Sequence, residues 1–148
     1  MKHIFLLSGD YPDMAKEEIL SLLDIVKYDL AGSLLIAEIN EHSITAKRLA
    51  LAKSVFRLLF ECNISDIEKS MKDFGWQYIY KDNFCLRVHY LDGINDDSIK
   101  NISEKNLAKY IWNSVRKPKV NLENPKTLIQ LFITKNKAYC GLLVYKNK

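Results

Sequence analysis

The sequence predicts an α+β chain, and three observations carry that expectation. Apolar runs of strand length alternate with stretches whose apolar residues recur at the helical period. Polar turn segments containing Gly, Pro, Asn or Asp separate these runs, and no internal repeat or low-complexity tract interrupts the series. The length of 148 residues at 48% hydrophobic content is enough to bury a core without disulfides or metal, as one domain or as two small ones sharing an interface.

Taken in order, residues 3–8 (His-Ile-Phe-Leu-Leu-Ser) predict a buried strand, and Gly9 with Pro12 turn the chain into a helix. That helix places Ala15, Ile19, Leu22, Leu23 and Val26 on one side and leaves Lys16, Glu17 and Glu18 solvated. A second strand is expected over 33–39, then a helix capped by Ser43 and running to Ala52, then an unbroken apolar strand over 55–62. Residues 66–74 predict a short helix stopped by Gly75, followed by Trp76 and the 78–80 segment, where the domain boundary is placed: 1–80 and 81–148. Residues 84–91 alternate, with Phe84, Leu86, Val88 and Tyr90 on one face and Cys85, Arg87, His89 and Leu91 on the other. Ser103 predicts the cap of a helix through Val115 with the stripe Leu107, Ala108, Ile111, Trp112 and Val115. Pro118 forbids further helix, the Asn124-Pro125 pair signals a turn, and a hairpin follows over 127–134 and 138–145 around Lys135-Asn136-Lys137.

Charge narrows the function. The net charge is +4, but residues 1–82 carry a balance of −3 and residues 83–148 a balance of +7. Such segregation points to an anionic partner, because local potential rather than total charge attracts a phosphate backbone. Lys105, Lys109, Asn113 and Arg116 are spaced to share one face of the predicted helix, expected opposite the stripe that holds Trp112, and the helix runs into Arg116-Lys117-Pro118-Lys119. Cations in a line can each displace a condensed counterion from a phosphate chain. A solvated helix face beside a basic loop is the competing explanation. Arg87 reads equally as an ion-pair partner of Asp92, Asp96 or Asp97, and Tyr110, Tyr139 and Tyr145 as core or rim packing or as platforms for unpaired bases.

Several chemistries find no footing. Cys62, Cys85 and Cys140 form no C-x-x-C pair and lie in strand-like segments, so they read as buried, reduced thiols. His3, His42 and His89 are scattered, and no metal site is expected. The five glycines are far apart, leaving no P-loop and no dinucleotide or methyl-donor cradle, and no nucleophile elbow or H-E-x-x-H helix is present. His89 with a distant carboxylate is the one enzymatic reading, and it lacks converging groups. No catalytic residue and no cofactor are therefore expected of this chain. No run reaches the roughly 18 apolar residues that span a membrane, and residues 1–8 lack a cleavage site, so a cytoplasmic, non-membrane protein is expected.

The residues also carry a family resemblance. Phe84-x-Leu-Arg87, the helix ending in Arg116-Lys117-Pro118-Lys119, the 120–125 segment Val-Asn-Leu-Glu-Asn-Pro, and Tyr139-Cys140-Gly141 resemble a THUMP domain, the RNA-binding unit named for thiouridine synthases, RNA methyltransferases and pseudouridine synthases. The family usually shows Asp where Asn121 stands. Gly9-x-x-Pro12-x-x-Ala15-x-Glu17-Glu18-Ile19 is similar to the ferredoxin-like domain that opens archaeal tRNA guanosine-N2-methyltransferases. The resemblance implies that the chain docks the acceptor 3′ CCA end of tRNA and positions it for a methyltransferase domain or partner subunit. S-adenosylmethionine would belong to that catalytic domain, which is expected to be absent here because no Asn- or Asp-Pro-Pro-aromatic motif occurs before Lys148. It further implies that Arg87, Lys117, Lys119, Asn121 and Lys126 contact RNA, with Lys105, Lys109 and Arg116 as a supporting electrostatic face. The other reading is a protein-interaction or regulatory subunit of an RNA-modification enzyme, which an exposed apolar patch at Phe74, Trp76 and Tyr78 would favour.

Overall fold

The computed structural model describes residues 2–7, 12–22, 25–39, 52–91 and 104–146. The chain divides into two compact units, one of residues 1–58 with 143–148 and one of residues 59–142. The mixed α+β class expected from the sequence is what the fold shows.

In the first unit, β1 (Lys2–Leu7) is flanked by β3 (Leu34–Ile39) and β4 (Ala52–Asn63), and β2 (Ile25–Ala31) pairs with β3, giving the order β2-β3-β1-β4. All three pairings are antiparallel, with Phe5 opposite both Leu35 and Val55. Helix α1 (Pro12–Leu22) contributes Ala15 and Ile19 to a core that also holds Ile4, Phe5, Leu34, Leu35 and Phe56. Strand β2 was not expected. The sequence reading carried the helix on to Val26, which instead lies in β2, because Val26 falls at both a helical and an alternating position. Gly32 makes the hairpin possible with a φ of 58°, a left-handed conformation that only glycine takes without cost. The helix expected from Ser43 lies outside the described residues.

The second unit is built around β5 (Phe84–Tyr90), which pairs in parallel with β6 (Thr127–Ile133). Strand β7 (Lys137–Lys146) returns antiparallel to β6, and the order is β4-β7-β6-β5. A parallel neighbour requires a crossover, and it contains α3 (Glu104–Trp112), whose Leu107 and Ile111 are buried. Helix α2 (Ile67–Asp73) adds Ile67 and Met71 to the same core. Trp76 is fully buried there, its indole N–H donating to the Met71 carbonyl at 2.7 Å.

That burial explains why the compact units part at residues 58 and 59 and not near residue 80. Ile67, Met71 and Trp76 pack with Phe84, Ile129 and Leu131, so the segment read as the end of the first domain supplies core to the second. A Cβ at Gly75 would stand 2.7 Å from the Tyr78 ring, which, being exposed, would have to swing outward to admit one.

Candidate functional site

The crossover from β5 to β6 places its two connections very differently. Helix α3 ends at Trp112, earlier than the Val115 expected: the exposed Ser114 donates its hydroxyl to the Tyr110 carbonyl at 2.6 Å and its N–H to the Ile111 carbonyl rather than to Tyr110. Arg116 therefore lies on the bend after the helix. Lys105, Lys109, Asn113 and Arg116 are all exposed. The Lys109 ammonium lies 5.1 Å from the centre of the Tyr110 ring. Trp112, read as part of the buried stripe, is 46% exposed.

The loop from 113 to 126 is tied down at both ends by the residues just before β5. Tyr80 is the hub at the first end. Its hydroxyl donates to the Asp82 carbonyl at 2.7 Å and, more weakly, to the Lys117 carbonyl at 3.2 Å, and accepts the Lys119 N–H at 3.1 Å. The chain then runs alongside the start of β5, the Phe84 N–H donating to the Lys119 carbonyl and the Asn121 N–H to the Phe84 carbonyl. At the second end the Lys126 N–H donates to Asn83 Oδ1 at 2.7 Å, and the Thr127 hydroxyl exchanges hydrogen bonds with the Lys81 backbone. Within the loop, Asn121 Oδ1 accepts the N–H groups of Glu123 and Asn124, and its amide donates to the Asn124 carbonyl. An Asp would supply the same acceptor, so the turn survives the exchange that distinguishes this chain from the usual family pattern.

Lys117 has a φ of 48°. A non-glycine residue in the left-handed region costs roughly 1–2 kcal/mol, and the Tyr80 tether on both sides holds it there. The outcome is a backbone hydrogen-bonded at both ends and in its middle, on which Lys117, Lys119 and Lys126 are all exposed. Val120 and Leu122, also exposed, stand between them.

The structure thus gathers Lys117, Lys119, Asn121 and Lys126 on one tethered loop, with Arg116 entering it and Lys105 and Lys109 on the preceding helix. Arg87 stands apart. Its guanidinium lies 3.7 Å from the Glu104 carboxylate, whose other oxygen accepts the Val88 N–H at 2.8 Å. Of the partners considered for Arg87, Asp92, Asp96 and Asp97 lie outside the described residues; the one observed is Glu104, the first residue of α3. The pair is 48% and 41% exposed and contributes little beyond pinning the helix start to β5.

The sequence reading passed over Tyr80, Asn83 and the exposed Lys81, although Lys81-Asp82-Asn83 carries a turn signature and Asp82 has a φ of 57°. Among the stacking candidates, Tyr139 is buried and Tyr110 half-buried, while the Tyr145 side chain lies outside the described residues. The apolar patch proposed at Phe74, Trp76 and Tyr78 does not form: Trp76 is in the core, and Tyr78 alone is open, at 86%. His89 packs its ring against Phe132 at 5.8 Å. Cys85 and Cys140 are buried and Cys62 half-buried, and burial pushes all three thiols up. A cavity of about 620 Å³ bordered by Cys62, Asp66, Lys69, Asp73 and Lys137 shares no residue with the basic loop. Among the described residues, no three His, Cys, Asp or Glu side chains converge on a metal position, and no helix is long and apolar enough to cross a membrane.

Known structures share this fold. PH1313 from Pyrococcus horikoshii matches over 99% of this chain and 55% of its own, with 15% identity and a TM-score of 0.59. TrmN from Thermus thermophilus matches over 99% and 46%, with 14% identity and a TM-score of 0.67. A 4-thiouridine synthetase solved with RNA and ATP matches over 95% and 40%, with 10% identity and a TM-score of 0.62. At these identities the likeness is one of fold, and the chain spans about half the length of these structures or less. The THUMP domain family matches residues 61–143, more than half of the chain and nearly all of its second unit. THUMP domains are associated with tRNA binding in tRNA-modifying enzymes. By that match and by the fold that carries it, this chain belongs to the THUMP domain family.

Proposed function

We propose that the chain is a tRNA-binding module that docks the acceptor 3′ CCA end and positions the tRNA for a methyltransferase domain or partner subunit. The observation that carries this reading is the tethered loop with Lys117, Lys119 and Lys126 projecting from a backbone fixed by Tyr80, Asn83 and Asn121. Phosphates need cations at set spacings, and an extended single-stranded end needs a surface whose shape does not collapse when it arrives. Arg116 and Lys81 enlarge the patch, and Lys105 and Lys109 extend its field. Arg87, which stands apart from the loop, takes part by exchanging Glu104 for a phosphate.

The first unit acts as a brace. Its order β2-β3-β1-β4 with three antiparallel pairings supports the ferredoxin-like reading of the N-terminal half. The RNA bound to the 4-thiouridine synthetase of the same fold supports the choice of ligand. The methyl donor would be held by the catalytic part, and this chain would supply distance and orientation. The guanosine-N2 class remains our choice of reaction on the motif at Gly9 to Ile19.

The test is fluorescence anisotropy of labelled tRNA with and without its 3′ CCA end, titrated with the chain across a salt series. We expect salt-steep binding that weakens at least tenfold when the CCA end is removed, on the order of the loss of one or two stacked or paired nucleotides. Equal binding of both tRNAs would overturn the CCA reading, and no binding at low salt would overturn tRNA recognition by this chain.

A further inference from the structure

The chain has two tryptophans, and the fold treats them in opposite ways. Trp76 is sealed in the second core, hydrogen-bonded through its indole N–H and packed against Phe74 and Phe60. Trp112, the last residue of α3, is 46% exposed. Leaving half of the largest apolar side chain in water forgoes stabilisation that burial would supply. Its surroundings are not those of an apolar patch. Lys109 precedes it by three positions and Lys105 by seven, which starts both on its side of the helix, the Lys109 ammonium leaning over Tyr110, while Leu107 and Ile111 take the buried side. Arg116 follows four residues later and leads into the tethered loop.

We propose that Trp112 is a stacking platform for an unpaired RNA base, a contact that rests on the tRNA-binding reading and adds a base-binding site to it. An exposed indole on a helix that carries Lys105 and Lys109, with Arg116 on the chain that follows, suits a nucleotide whose base leaves the helical stack: the indole takes the base face, and these cations attract the flanking phosphates. The neighbourhood is cationic, so a polyanion complements it where an apolar peptide would not. Stacking on Trp112 is tolerant of sequence, so this site contributes affinity and strand state, and the loop contributes position.

Trp76 is buried and present in every variant, so the part of the tryptophan quenching that is lost in Trp112→Phe reports Trp112. The experiment titrates the chain with tRNA and with a fully paired RNA duplex of similar length, following fluorescence and anisotropy in the same samples, with melting curves for each variant. We expect tRNA to quench the emission and the duplex to bind with much less quenching. Trp112→Ala and Trp112→Gln should weaken tRNA binding by roughly 5- to 100-fold, and Trp112→Phe by less than about threefold, because a phenyl ring keeps a stacking face. Two polar or small replacements keep the test alive should one of them lower folding stability. Wild-type affinity in both Trp112→Ala and Trp112→Gln, or equal quenching by duplex and tRNA, overturns the platform while leaving tRNA binding intact. A wild-type chain that shows no salt-sensitive binding overturns the tRNA reading, and the platform with it.

Discussion

Two basic surfaces adjoin in the second unit, and they are built on different principles. On α3, Lys105 and Lys109 stand exposed on a backbone held by ordinary helical hydrogen bonds, with the Lys109 ammonium over the Tyr110 ring. In the loop that follows, the backbone itself is the constrained part, fixed by Tyr80 at one end, by Asn83 and Thr127 at the other and by the Asn121 turn between them. A free cation attracts a phosphate from many directions, whereas cations on a fixed backbone select a geometry. The helix face should therefore govern how fast and how salt-dependently tRNA arrives, and the loop which part of it fits.

Reversing two loop charges tests that division most severely. Lys117→Glu with Lys119→Glu should weaken tRNA binding about a hundredfold near 0.1 M salt and flatten the salt slope by more than about one unit, read by anisotropy. Removing only a hydroxyl from the tether is the subtler break: Tyr80→Phe keeps every cation yet should cost about 1–2 kcal/mol of stability from its lost hydrogen bonds and weaken binding several-fold. That loss should shrink in a Lys119→Ala background, because both changes act on one loop. Neutralising the helix face with Lys105→Ala and Lys109→Ala should cost about fivefold, a deficit that fades as salt rises and leaves the preference for a CCA end unchanged. If that pair erased the CCA preference, the distinction between steering and fitting would fail. Smallest of all, Glu104→Gln should shift stability by no more than about 1 kcal/mol in thermal melts, because its pair with Arg87 is exposed.

Much of this was legible before the fold was known. Alternation marked β5, turn signals marked the final hairpin, helical periodicity marked α1 and α3, and the run Arg116-Lys117-Pro118-Lys119 marked the basic loop. What failed to show depended on contacts distant in sequence. Tyr80 reads as one aromatic residue in a mixed segment, and only the return of the chain at Lys117 and Lys119, 37 and 39 residues on, makes it a hub. The early division into units was hidden for the same reason, since Met71 and Trp76 are apolar wherever their partners lie. Strand β2 was missed because Val26 satisfies two periods at once. Trp112 fitted a helical stripe by spacing, but a stripe drawn every three or four residues is wider than the face α3 buries, and the residue at its margin stays open.

The central claim is one of place: tRNA contacts the loop tethered by Tyr80. Lysine acetylation footprinting of the chain with and without tRNA, read by mass spectrometry, tests it most directly. Lys117, Lys119 and Lys126 should be strongly protected and Lys105 and Lys109 partly so, while the exposed Lys69 and Lys72 of α2 react equally in both samples. Protection of Lys69 and Lys72 with the loop lysines unchanged, or uniform protection throughout, would contradict the account.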